Sequence, residues 1–320
     1  MMLLPVSEKL RQKLEETNRD LRKVYPEEVF NRSAMKERLA TIGQFSQVSK
    51  WSGPEMKAWL RGRSLVGVDG SVNSTPGTHP HTLSVFQALA KGTGGEEYWA
   101  ADLYTPLLEK EEKPEEGQLA REAQHRGRLL AGLEIGTALE AVRRWSPGVI
   151  LMDGSLYHFR IDHGKAWEEL ANEAEKAGVL LVGVSEEIGT QALARTLFPG
   201  QGNYSDREVL FGVMQPGEVY ISPELEPPGS GLWKAVLAPT RNPQPVGVDG
   251  LLSQSAAREE LLRLVYSLTP VQGRGIPLWL DIVDQEVRVT DSLVEAMVEQ
   301  HIDPDLRHRL LVPKRSDRVL

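Results

Sequence analysis

The chain has 320 residues, enough for one large domain with appendages or two smaller ones at roughly 100–200 residues per domain. Hydrophobic residues make up 40% and charged residues 26%, near globular averages, so neither disorder nor a fibrous repeat is indicated. The absence of cysteine excludes a disulfide framework, thiolate zinc sites and a cysteine nucleophile, and the net charge of -8 argues against a protein that coats duplex DNA through a basic face. A locally basic channel remains compatible with an acidic exterior.

The opening Met1-Met2-Leu3-Leu4-Pro5 turns charged at Glu8 and Lys9, an apolar run too short for a signal peptide or a membrane span, so a cytoplasmic protein is expected. From Val6 to about Gln44, apolar residues at helical spacing (Leu10, Leu14, Leu21, Val24) with a break at Pro26 predict two helices in an N-terminal arm over residues 1–60, either packed on the main domain or used for oligomerisation. Ser64 to Ser71 is a short apolar run ending in Asp69-Gly70-Ser71, the pattern of a buried strand with an acid at its C-terminal tip. Two more strands are expected at 81–90 and 97–104, separated by the turn Gly92 to Gly95. Pro114 to Gly117 leads into a helix through Trp145, stopped by Pro147-Gly148. Val149 to Ser155 is a second buried strand ending in Asp153-Gly154-Ser155, followed by a helix over 164–176 and a strand over 179–184.

Strand, strand, strand, helix, strand, helix, strand is an RNase H-like order: an α/β fold with a mixed sheet flanked by helices, assigned here to residues 61–300. Beyond it, strands are expected at 209–214, 219–222 and 233–237, with a loop over 223–231. Helices over 254–268 and 278–300 then pack back on the sheet, before a tail at 301–320 whose final stretch is Val312 to Leu320. Val246-Gly247-Val248-Asp249-Gly250 repeats the letters of the first motif. Pro243 and Pro245 precede it and no serine follows, so a loop entering a helix is expected, with Asp249 outside the site.

The acids form the chemical pattern. Asp69 and Asp153 stand at strand tips, where open sheets bind ligands and where a glycine lets other groups come close. Between them, steps of four and three residues through Glu134 give Ala123, Gly127, Leu130, Ala138, Ala141 and Trp145, so Glu134 is the one acid on a small and apolar face. A carboxylate there needs a cation, donors or a raised pKa. Glu140, four residues before Arg144, suits an exposed ion pair instead. A fourth acid is expected from the last helix, where Asp284 shares a face with Leu280 and Val287 and Asp281 is the alternative. Such a set suits two magnesium or manganese ions, which can acidify an attacking water and stabilise a leaving alkoxide in phosphodiester hydrolysis. On this reading Asp69 and Asp153 are shared metal ligands, with Glu134 and Asp284 completing one ion each.

Val66-Gly67-Val68-Asp69-Gly70-Ser71, Leu133-Glu134, Leu151 to Leu156 and Ile276-Pro277-Leu278 together resemble the NurA nuclease family, over about residues 60–290. The resemblance implies Mn2+- or Mg2+-dependent cleavage of single-stranded DNA and duplex ends in double-strand break repair, a homodimer enclosing the DNA, and docking on a HerA-type hexameric ATPase. Three positions depart from the family pattern: Ile276 stands for a tyrosine, Asp284 for a histidine, and Glu186-Glu187 follow the strand where a lysine is usual. These departures keep open a weakly active adaptor on an ATPase ring, and the fold class keeps open an enzyme acting on RNA. His158 and His163 lack metal-helix spacing and suit surface or substrate contacts. Arg126, Arg128, Arg143 and Arg144 are read as a solvated face that could also line a DNA path.

Overall fold

Leu65-Val66-Gly67-Val68 is uniformly apolar, which suits a strand covered on both faces. The computed structural model, which describes residues 7–25, 31–108, 118–200 and 204–311, places this run in β2 (Leu65–Ser74) within a nine-stranded sheet. The other strands are β1 (Gln44–Gln47), β3 (Ser84–Gly92), β4 (Glu97–Tyr104), β5 (Val149–Asp153), β6 (Leu180–Ser185), β7 (Glu218–Ile221), β8 (Leu232–Leu237) and β9 (Val246–Leu251). Their spatial order is β1-β7-β8-β9-β6-β5-β2-β3-β4.

Helices α1 (Glu8–Val24), α2 (Arg32–Ala40) and α3 (Gly53–Leu60) precede β2. The long α4 (Gln118–Trp145) joins β4 to β5, and α5 (Leu156–Asp162) with α6 (Gly164–Ala177) joins β5 to β6. Between β6 and β7 lie α7 (Ala192–Leu197) and α8 (Asp206–Leu210), and α9 (Arg258–Leu268), α10 (Leu278–Val287) and α11 (Asp291–His301) follow β9. The β2, β3 and β4 meander is antiparallel, whereas β2, β5 and β6 are parallel, as helical crossovers require. This is the RNase H-like arrangement.

Alternation along the strands divides the core in two. Val66, Val68, Ile150, Met152 and Leu181 meet Ile135, Ala138 and Val142 of α4 and Trp167 and Leu170 of α6. Leu65, Val149, Leu151, Val182 and Val184 face the other way, toward Leu261, Leu262 and Val265 of α9 and Leu280 of α10. Each such side chain contributes about 1.5–3 kcal/mol by leaving water. The seating of α10 depends on Gly67, where a Cβ would lie 3.0 Å from both Trp279 Cδ1 and Val283 Cγ2. Trp279 Nε1 also donates to the Lys91 carbonyl at 2.9 Å, fixing the start of α10 against β3.

The C-terminal half differs from the sequence expectation in several places. Val209–Met214 is not a strand: α8 ends at Leu210, and a capping box between Ser205 and Glu208 starts a helix that the apolar run alone did not reveal. Val246–Leu251 is not a loop but β9, a fully buried strand between β8 and β6. Pro243 and Pro245 precede the strand, so neither deprives the ladder of a donor. The helix expected over 278–300 is two, broken after Val287 and restarted at Asp291 with Thr290 as its cap. α9 starts at Arg258, after a tight 3-10 turn over Leu252–Ala257.

Residues 44–47 of the N-terminal segment join the sheet beside β7, and Met35 and Leu39 of α2 are buried in the core. By contrast, α1 buries no residue. The break at Pro26 and the tail from Val312 lie outside the described residues. Among the described residues, no helix is long and apolar enough to cross a membrane. Gly67→Val should force α10 off β2 and lower stability by roughly 1–3 kcal/mol, the usual cost of overpacking. A urea midpoint equal to that of the unchanged protein would show that α10 is not seated there.

Candidate active site

The parallel ladder of β2 and β5 runs through Val68 and Met152, and Asp69 and Asp153 each follow one residue beyond it. Asp153 ends β5, whereas Asp69 is not at the strand end expected from the sequence: β2 continues to Ser74 because Gly70 and Ser71 stay in the antiparallel ladder, opposite Ala88 and Gln87 of β3. By alternation both share the face of Leu65 and Leu151, the one covered by α9 and α10. Glu134 comes from α4 on the opposite face. It reaches β2 beside Asp69 because residue 70 has no side chain: a Cβ at Gly70 would lie 2.9 Å from Glu134 Oε1 and 2.8 Å from Leu130 Cδ1. Asp69 and Glu134 are nearly buried, at 7% and 8% exposure, so their negative charges have lost most of their hydration.

The four acids are electrostatically coupled. Burial first and then the charge of Asp153 push Asp69 up to about 7, with Asp284 adding to the rise while the Gly70 N–H and Arg274 oppose it. Asp153 is pushed up to about 6, by burial first and then Glu186, Asp284 and Asp281, with Arg274 pulling the other way. Glu134 lies well above its ordinary value, through burial and then repulsion from Asp69 and Asp153. Asp284 acts on both Asp69 and Asp153, whereas Asp281 acts on Asp153. The Gly70 N–H donates to Asp69 Oδ1 at 2.7 Å and orients that carboxyl.

The serine of each Asp-Gly-Ser motif fastens the segment after its aspartate to a neighbouring element. Ser71 Oγ accepts from the Val289 N–H at 3.0 Å, tying β2 to the junction of α10 and α11. Ser155 Oγ donates to Asp249 Oδ2 at 2.5 Å, and the Leu156 N–H donates to Asp249 Oδ1 at 3.0 Å. Asp249 is thus a buried anchor for the start of α5. Gly154 has φ +110°, which lets the chain turn sharply between Asp153 and that anchor.

Sequence reasoning passed over Arg274. Its Nη2 lies 2.8 Å from Asp281 Oδ1 and 3.6 Å from Asp284 Oδ2, and its Nη1 3.4 Å from Glu186 Oε1. The available signal was an arginine between Gly273 and Gly275, just ahead of a helix bearing two acids. Arg288 also pairs with Asp284 Oδ2, at 2.5 Å. His163 bonds the Arg128 carbonyl at 2.6 Å, and His158 acts electrostatically on Asp249, so the contacts of both lie with other groups. Arg143 pairs with Glu169 and Arg144 with Glu140, the latter at the predicted helical spacing, while Arg126 reaches Ser74.

In kind, the donors fit a hard cation: all are carboxylates, and Asp69, Glu134 and Asp153 are desolvated and mutually repelling. In position they are not a finished cage, for among the described residues no three acidic or histidine side chains are gathered tightly enough to hold one ion. The cluster can therefore do two things: retain protons near neutral pH, or exchange them for cations that draw the carboxylates inward.

Comparison with known proteins adds to this geometry. A family model described as the NurA domain matches residues 63–289. The crystal structure of the NurA nuclease from Sulfolobus solfataricus superposes with a TM-score of 0.61 at 15% identity, over 95% of this chain and 98% of that one, which shows a shared fold. The catalytic domain of human endonuclease V gives a TM-score of 0.37 at 14% identity, over 86% of this chain and 98% of that one. Kluyveromyces polysporus Argonaute gives 0.38 at 12% identity, over 85% and 33%. Overlaps that loose carry no weight here. No curated protein matches the chain.

Raised carboxyl pKa values mean that the folded chain holds more protons than the unfolded one between about pH 4 and 7, so the stability of metal-free protein should fall as pH rises through that window. Asp69→Asn should therefore stabilise the chelator-treated protein at pH 8 by roughly 1–4 kcal/mol and give no gain near pH 4, one pKa unit being worth about 1.4 kcal/mol. Denaturant melts at the two pH values test this, and equal effects at both would show that the Asp69 carboxyl is not strained.

Proposed function

The chain belongs to the NurA domain family, and on that premise we propose that it is a nuclease hydrolysing phosphodiester bonds in DNA, in single strands and at duplex ends, with divalent cations held by Asp69, Glu134, Asp153 and Asp284. The observation that carries the proposal is the electrostatic coupling of Asp69, Glu134 and Asp153, desolvated carboxylates from two strands and one helix, with Asp284 of a second helix acting on both aspartates. A fold gains nothing in stability from such a group alone. Its use is to take up positive charge.

Bound magnesium or manganese would supply Lewis acidity, making a water more acidic and stabilising the leaving oxygen. On this reading Asp69 and Asp153, neighbours on one face, would share ions, and Glu134 from α4 and Asp284 from α10 would complete one ion each. The Gly70 N–H keeps Asp69 in one orientation, and the Ser155 to Asp249 anchor keeps the β5 tip from fraying. Four oxygen donors with no thiolate or imidazole among them favour magnesium or manganese over zinc.

The resemblance further supports a homodimer around DNA and a HerA-type hexameric ATPase as partner, in cytoplasmic end resection at double-strand breaks. The exposed Leu10, Leu14 and Leu21 of α1 offer an apolar face for assembly of that kind. A rival reading, an adaptor of weak activity, draws on the ion pairs that engage Asp281 and Asp284 with Arg274 and Arg288.

Purified protein with manganese should degrade labelled single-stranded DNA, and chelation should stop it. Asp69→Ala and Asp153→Ala should each lower the rate by roughly 100-fold or more, and Gly70→Ala, which displaces Glu134, by roughly 10- to 100-fold. Wild-type protein that stays inert on DNA even with its ATPase would favour the adaptor. Preferential cleavage of RNA or hybrid in the same assay would redirect the substrate.

A further inference from the structure

Arg274 stands among the acids as a cation supplied by the chain itself. Its guanidinium touches Glu186, Asp281 and Asp284, and its charge opposes protonation of Asp69 and Asp153. Arg288 is the other arginine paired with this group among the described residues, and it contacts Asp284 across one turn of the same helix. Arg274 differs in being placed from outside α10. It lies between Gly273 and Gly275 in a stretch without helix or strand, Gly275 has φ +101°, and the side chain keeps 47% of its exposure.

These features suit a group that moves. An ion pair half open to water is held weakly, and a divalent cation held by Asp284 with Asp69 and Asp153 would compete for the one carboxylate it shares with Arg274 and repel the guanidinium from the rest. The guanidinium stays charged at every working pH, so once displaced it needs another anion. Its planar fork matches the geometry of a phosphodiester. We propose that Arg274 is a substrate-contacting residue with two positions: it bridges Glu186, Asp281 and Asp284 while the site lacks divalent ions, and it turns to a DNA phosphate when those ions take Asp284 and repel it. The proposal rests on the nuclease reading above and adds a residue, and a direction of exchange, to it.

Binding of Mn2+ alone, followed by electron paramagnetic resonance, gives one readout. Anisotropy of a fluorescein-labelled thymidine oligonucleotide, in calcium and in chelator over a range of salt, gives the other. Arg274→Gln should bind Mn2+ roughly two- to fivefold more tightly, the weight of an exposed ion pair. In calcium it should bind the oligonucleotide more weakly, with a salt slope smaller by about 0.7, the value for one contact to a single strand. In chelator its DNA affinity should match wild type. Arg274→Lys, which keeps the charge but not the fork, should match wild type for Mn2+ and weaken DNA binding in calcium, and it carries the test if Arg274→Gln fails to fold. Wild type that binds Mn2+ while Arg274→Gln binds it no more tightly, or keeps the wild-type salt slope in calcium, would overturn the two-position role and leave the nuclease reading standing. Wild type that binds no Mn2+ at all would sink both.

Discussion

Carboxylates repel one another and lose hydration when buried, and just beyond the parallel pairing of β2 with β5 both penalties fall on the same few side chains. Asp69 and Asp153 are raised to about 7 and about 6, and Glu134 is pushed higher than its ordinary range as well. Such an arrangement persists only if the surrounding structure prevents the acids from separating or turning to solvent. The parallel pairing of β2 with β5, the close approach of α4 over Gly70 and the close approach of α10 over Gly67 act in that sense. Adding a side chain at either glycine would press on one of the two helices that bring acids to the strand ends.

The anchoring around the tips is divided between the two motifs. Ser71 holds β2 to the α10–α11 junction, and through it the position of Asp284 is linked to that of Asp69. Ser155 and the Leu156 N–H hold the start of α5 to Asp249, a carboxylate pushed up by burial and drawn back by Lys234 and by those two donors. The same residue type therefore has two uses in one sheet. Asp69 and Asp153 have few donors for their negative charge, whereas Asp249 has its hydrogen bonds satisfied inside the protein. That difference in partners, rather than depth of burial, separates a group open to cations from one fixed in the scaffold.

Charge balance explains why an acidic cluster of this size is tolerated. Arg274 and Arg288 lie against its α10 side, and Glu186 shares Arg274 with Asp281 and Asp284. Among the described residues the deeper acids have no such close partner, and they keep the raised pKa values. The site is consequently graded, with paired carboxylates toward solvent and unpaired ones beside the end of the β2–β5 ladder, so cations entering from outside would meet the weaker attachments first.

The sequence alone determined the central β2 to β6 layout, because β2, β3, β5 and β6 carry apolar runs, β4 follows β3 across a glycine turn and each crossover has helical periodicity. It also determined Asp69, Glu134 and Asp153 as acids in unusual places, since the two aspartates close apolar runs and the glutamate interrupts an apolar helical face. That β2 runs past Asp69 to Ser74 came only from its pairing with β3. Only the tertiary structure decided that Val246–Leu251 is an inner strand, that Asp249 is an anchor, and that Arg274 lies against Asp281 and Asp284. Local pattern cannot supply these facts. Asp69 and Asp249 sit in the same five letters, Val-Gly-Val-Asp-Gly, and what distinguishes them is which residues the fold brings from 94 positions away.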